Sequence, residues 1–218
     1  DDKIAWFKNN GNEGFTDHTI ASSTDGVKSV YAIDVDGDGD MDVLSASYND
    51  DKIAWYENNG SEVFTAHNIS TSSNGAVSVF ATDIDKDGDM DVLSASYVDH
   101  KIAWYDNDGS EVFTEQIIST SASGAHNVYA SDIDGDGDID VLSASHWDNK
   151  IAWYENNGSE VFTERVISTS AAAARCVHAA DIDSDGDMDV LSASYDDDRI
   201  VWYEKTDYIV WDGSTDTD

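Results

Sequence analysis

The nine-residue pattern Asp-x-Asp-x-Asp-Gly-x-x-Asp begins at Asp34, Asp83, Asp132 and Asp181, each time 49 residues after the last. So constant a step restricts the chain to an array of like units, each of which must bury its apolar faces against its neighbours. The step also holds away from the acidic segments. Lys3, Lys52, Lys101, Lys150 and Arg199 each open a variant of Lys-Ile-Ala-Trp-Tyr, and Phe15, Phe64, Phe113 and Phe162 keep the same interval, as do Val30, Val79, Val128 and Val177. The units read as residues 3–51, 52–100, 101–149 and 150–198 with a closing strand at 199–204, followed by a C-terminal strand or tail at 205–218.

Within one unit, residues 77–119 show four β-rich runs, here called A to D, each bounded by Gly, Asn, Asp or Ser. No window carries a 3.6-residue apolar period long enough for a helix. Runs C and D are joined by Asn10-Gly11, Asn59-Gly60, Asp108-Gly109 or Asn157-Gly158, residues that tolerate positive φ and favour a tight hairpin. A four-stranded antiparallel meander at this period is what a β-propeller blade requires. The expected fold is therefore all-β, a β-propeller of four-stranded blades with about four blades per chain. There are four A, four B and four D runs but five C runs. Ring closure within one chain, or a larger ring shared between chains in a homo-oligomer, both remain open at this level.

The acidic segments lie between runs A and B. In Asp83-Ile-Asp85-Lys-Asp87-Gly88-Asp89-Met-Asp91 the carboxylates converge only if the loop curls, and Gly88 supplies the conformational freedom for that curl. The donors are hard oxygens with no His or Cys at ligand spacing, which selects calcium over zinc or copper. An EF-hand would need a Glu at position twelve between helices, yet that position is Ser45, Ser94, Ser143 or Ser192 inside run B. Closure must come at position nine, through Asp42, Asp91, Asp140 and Asp189.

Twenty of the 46 acidic residues sit in these four segments, within a formal net charge of -35. That field repels nucleic acid and anionic membranes and makes cations the natural partners. No apolar run approaches the roughly 20 residues that span a bilayer as a helix. Cys176 is the sole cysteine, so no intrachain disulfide forms, and it reads as a small packing residue.

With these features the chain resembles the calcium-binding FG-GAP or VCBS-type repeats of integrin-α-like propellers. The resemblance implies one structural calcium per acidic loop, four per chain. Its ligands would come from Asp34, Asp36, Asp38, Asp40 and Asp42; Asp83, Asp85, Asp87, Asp89 and Asp91; Asp132, Asp134, Asp136, Asp138 and Asp140; and Asp181, Asp183, Asp185, Asp187 and Asp189. At position seven the backbone carbonyl is the expected donor. The resemblance also implies an extracellular or cell-surface location and an adhesion-type binding role without catalysis.

The face opposite the loops is where the units disagree. The position entering run A is Lys28, Val77, His126 or Arg175, and the B–C loops carry His100, His146 and Trp147. His100, His126, His146, Trp147 and Arg175 are the candidate contacts for a protein or glycan ligand. Tolerated loop variation is the plainer reading of the same differences. The recurrent Trp6, Trp55, Trp104, Trp153 and Trp202 either pack between blades or stack on sugar rings. A glycan-binding propeller and a passive spacer within a larger secreted protein stand as alternatives to adhesion.

Overall fold

The computed structural model describes residues 2–205, so the expected final strand near 207–211 lies outside the described residues. Every element among the described residues is a β-strand. Strands β1 (Ile4–Asn9) and β2 (Phe15–Ala21) form a two-stranded sheet. Three full meanders follow: β3 (Val27–Ile33), β4 (Asp42–Ser47), β5 (Lys52–Asn58) and β6 (Phe64–Ser70); β7 (Ala76–Thr82), β8 (Asp91–Ser96), β9 (Lys101–Asn107) and β10 (Phe113–Ser119); β11 (Ala125–Ser131), β12 (Asp140–Ser145), β13 (Lys150–Asn156) and β14 (Phe162–Ser168). The last sheet holds β15 (Ala174–Ala180), β16 (Asp189–Ser194) and β17 (Arg199–Tyr203). All pairings are antiparallel between sequence neighbours, so runs A to D map onto successive strands of each sheet.

The core lies between sheets. One face of each sheet meets the opposite face of the next: Leu44, Ala46, Ile53 and Trp55 pack on Val79, Ala81, Val92, Ala103 and Tyr105, and the same sets recur one unit later. Ala and Ser in the second strand let the sheets approach closely, and Ser94 and Ser96 are fully buried. Across the first strands, a side chain of each sheet accepts a backbone N–H from the next. Ser29 Oγ takes Val79 N at 3.4 Å, Ser78 Oγ takes Val128 N at 3.3 Å and Asn127 Oδ1 takes Val177 N at 2.9 Å.

This packing stops at both ends of the array. Val30 is 56% exposed whereas Val79 is 5% exposed, and Ile200 is 84% exposed whereas Ile53, Ile102 and Ile151 are at 0%. The small β1–β2 sheet covers only part of the first four-stranded sheet, where Ile4 joins Ala54 and Tyr56. It does not enter the sheet of β15 and β16, whose third strand is β17. Cys176, expected to pack, is instead exposed. It occupies the same place on β15 as Ser29, Ser78 and Asn127 on their strands, and no described sheet follows to cover it.

Candidate metal centres and the opposite pocket

Each acidic loop follows the first strand of its sheet and ends at the second. In every copy the glycine at position six holds a left-handed φ, from 95° at Gly39 to 102° at Gly88, which an L side chain adopts only with strain. The turn is then held by its own carboxylates. Asp34 accepts N–H groups from Gly37 and Gly39 at 2.8 and 2.9 Å, and Asp38 accepts that of Asp40 at 2.8 Å.

Position nine does more than close the loop. Asp91 is fully buried and accepts Ile84 N at 2.9 Å and Asn107 N at 2.9 Å, bridging the loop to the end of β9. Asp42, Asp140 and Asp189 make the corresponding pairs of bonds. Burial pushes Asp91 and Asp140 up to about 6, against the backbone N–H groups that pull the other way. Burial also raises Asp36, Asp85 and Asp134, and their acidic neighbours push in the same direction.

Three carboxylates in each loop bring an oxygen to within 4.8 Å of one another: Asp34, Asp36 and Asp42; Asp83, Asp85 and Asp91; Asp132, Asp134 and Asp136; Asp181, Asp183 and Asp189. Oδ1 of Asp83 is buried without a hydrogen-bond partner, an unmet acceptor beside its triad. Paired carboxylates at 4 Å repel by about 1 kcal/mol in water and more where the dielectric falls. A dication reverses that sign. The all-oxygen donor set, on a turn that leaves lone pairs facing inward, fits a hard ion such as calcium. Position seven behaves differently from the other four. The side chains of Asp40, Asp89 and Asp138 lie against Gly60, Gly109 and Gly158, where an added Cβ would meet a carboxylate oxygen at 2.4 Å. They buttress the neighbouring hairpin, leaving the carbonyl as the atom a cation would use there.

At the other end of the sheets, the first strand of each meander carries a β-bulge: the ladder steps from Val27 to Ser29, Ala76 to Ser78, Ala125 to Asn127 and Ala174 to Cys176. The residues skipped are Lys28, Val77, His126 and Arg175. A bulge re-aims the side chain it frees, and all four line one cavity of about 330 Å³ with Tyr48 and Tyr97. Tyr97 gathers the other candidates, its ring centroid lying 6.1 Å from His126, 5.8 Å from His146 and 4.8 Å from Trp147. His100 has a structural task instead. Its Nδ1 accepts Gly124 N at 3.0 Å, as Asp51 takes Gly75 N at 2.8 Å and Asn149 takes Ala173 N at 2.9 Å. Tyr48 and Tyr97 were not singled out in the sequence, because a tyrosine after strand B looks like one more β-former. Their shared step of 49 residues with His146 and Tyr195 was the available signal. Trp55, Trp104 and Trp153 are at most 4% exposed and pack between sheets, which removes their faces from any sugar.

The FG-GAP-like repeat family matches four overlapping segments, residues 1–45, 34–94, 83–143 and 132–192. The chain belongs to the FG-GAP-like repeat family. Comparison with curated proteins finds no match. Among solved structures, this FG-GAP-like array is similar to a candidate 6-phosphogluconolactonase from Bacteroides uniformis at TM-score 0.67 and 14% identity, covering 94% of this chain and 61% of that one. An auxiliary nutrient binding protein from Bacteroides ovatus gives 0.58 and 12%, covering 93% and 52%. A lectin from Agrocybe aegerita, described as recognising non-reducing terminal N-acetylglucosamine, gives 0.53 and 16%, covering 76% and 47%. At these identities the likeness is one of fold, and the chain spans about half to three-fifths of each structure.

Proposed function

We propose that this FG-GAP-like chain is a calcium-stabilised binding module of β-propeller type, non-enzymatic and extracellular or cell-surface, with an adhesion-type role. The observation that carries the reading is the recurrence, in every acidic loop, of three convergent carboxylate oxygens on a turn already closed by backbone hydrogen bonds. On this reading calcium ties each loop to its blade, and recognition falls to the opposite rim, where equivalent positions differ. Open apolar ends such as Val30 and Ile200 suit a further sheet, from the same chain or a second copy. Solution mass and thermal melting, each with calcium and with chelator, test the scaffold half of the proposal. A melt that ignores the chelator would sink it.

A propeller lectin is the second reading. The likeness to the Agrocybe lectin supports it, as does a groove of about 230 Å³ between sheets, whose accessible lining includes Asp106, Gln116, Ile117 and Phe162. A glycan array separates the two. Repeat-like multivalent glycan binding selects the lectin, and a blank array with retained protein binding selects adhesion.

A further inference from the structure

In a chain of net charge -35, a basic side chain finds a carboxylate with little difficulty. Lys52, Lys101 and Lys150, which open the third strands of their sheets, each have one within 3.6 Å, and Lys86, Arg165 and Lys205 are also paired. Lys28 and Arg175 are different: among the described residues neither has a carboxylate within ion-pair range. Both are bulge residues, on β3 and β15, and both line the same cavity. Two unneutralised cations at equivalent places, facing one pocket of an acidic protein, leave a local positive site whose missing partner is an anion.

The neighbours of Arg175 orient it without cancelling its charge. Its Nη1 donates to His126 Nε2 at 2.7 Å, while His126 Nδ1 donates to the Arg175 carbonyl at 3.0 Å. That tautomer requires a neutral ring, and burial together with the adjacent guanidinium holds His126 below its ordinary value. The guanidinium carbon lies 5.1 Å from the Tyr195 ring centre, and Lys28 Nζ stands 5.8 Å from that of Tyr48. Arg175 therefore keeps donors free in a fixed plane, the arrangement that grips a carboxylate by two parallel bonds. Val77, Tyr48 and Tyr97 complete a partly apolar wall. About 330 Å³ is at the small end of ligand cavities. Two cations balance one or two negative charges, and the surrounding field repels anything more highly charged.

We propose that this pocket binds a small monocarboxylate carried on a single ring, with Arg175 holding the carboxylate, Lys28 neutralising it from the facing side, and Tyr48 and Tyr97 flanking the ring. The proposal rests on the reading of this rim as the recognition surface. The probes are D-glucuronate and its neutral counterpart D-glucose, titrated by calorimetry into the calcium-loaded full chain. Glucuronate should bind at least about tenfold more tightly than glucose, since a hydrogen bond to a charged group contributes about 1.5–3 kcal/mol. Arg175→Gln and Lys28→Gln should each weaken glucuronate by about tenfold with melting unchanged, and Arg175→Lys should recover part of the loss. No detectable glucuronate binding, or equal binding of both sugars, or affinity unaltered in Arg175→Gln, would overturn the proposal. Tyr97→Ala separates its failure from that of the rim. If Tyr97→Ala abolishes capture of an array glycan that Arg175→Gln still binds, the rim recognises ligand and the anion assignment alone is lost.

Discussion

The two ends of the same sheets are built on opposite principles. At the acidic end every unit carries the same five aspartates and the same glycine, and the last of those aspartates acts within its own sheet: Asp91 bonds the loop at Ile84 and its own third strand at Asn107, and Asp140 does likewise at Ile133 and Asn156. At the opposite end Lys28, Val77, His126 and Arg175 occupy equivalent bulges yet meet in one cavity. A task completed inside one repeat has to be encoded in every repeat. A site assembled where repeats converge needs each of its groups only once, so its positions are free to differ. Identity among repeats therefore marks scaffold in this chain, and divergence at an equivalent position marks the surface where recognition is proposed.

Removing calcium should give the largest contrast between the two ends. A site held at a hundredfold excess over its Kd stabilises by about 2.7 kcal/mol, so emptying four should lower Tm by on the order of 20 °C. Differential scanning fluorimetry with and without chelator reads this directly. A shift of only a degree or two would mean that the acidic end supports itself.

Asp91→Ala should cost about 2–4 kcal/mol even in chelator, because it strands the buried N–H groups of Ile84 and Asn107. Asp85→Ala, whose side chain accepts an exposed local bond from Asp87 and belongs to the converging triad, should matter chiefly when calcium is present. Denaturant unfolding of both variants, in calcium and in chelator, distinguishes a carboxylate that also braces the fold from one that serves the cation. Equal losses in chelator would erase that distinction.

The pH response follows from the sign of the shifts. Asp91 and Asp140 titrate near 6 in the folded chain, above the ordinary aspartate value of 3.8, so between those values the folded state binds more protons than the unfolded one. Without metal, stability should be highest at the acidic side of that window and fall as pH rises from about 4 through 6. Calcium favours the ionised form and should flatten or reverse the fall. Melting curves across that range with and without calcium test it, and a metal-free protein that gains stability through the window would contradict the assignment. Arg175→Gln should give the smallest effect, within about 0.5 kcal/mol by chemical denaturation, because the side chain is exposed and holds no strand in place. A larger loss would make the opposite rim part of the scaffold and blur the contrast.

Much of the acidic end was legible from spacing alone. The 49-residue step, the glycine at position six and the serine at position twelve together placed the loops between strands and excluded an EF-hand. What stayed hidden was division of labour among like residues. Asp89 and Asp91 are both aspartates of one motif, yet the first lies against Gly109 and the second is buried beneath the loop. His100 read as a ligand contact because histidine was new at that position, whereas its left-handed φ of 60° and its bond to Gly124 match the roles of Asp51 and Asn149. The bulges were invisible because a skipped residue leaves the pattern of β-formers intact.

By itself the sequence determined the repeat, its strand content, the turn chemistry and the acidic donor sets, since each depends on residues close together along the chain. Only the tertiary structure decided which side chains from different repeats share a space. Lys28 and Arg175 stand 147 residues apart, three steps of the repeat, and border one cavity because sheet stacks on sheet and each first strand bulges at the same place. That stacking arises from interactions between sheets, in which Leu44 and Trp55 bury against Val79 and Tyr105. Local propensity specifies each sheet, and burial between sheets determines what their ends bring together.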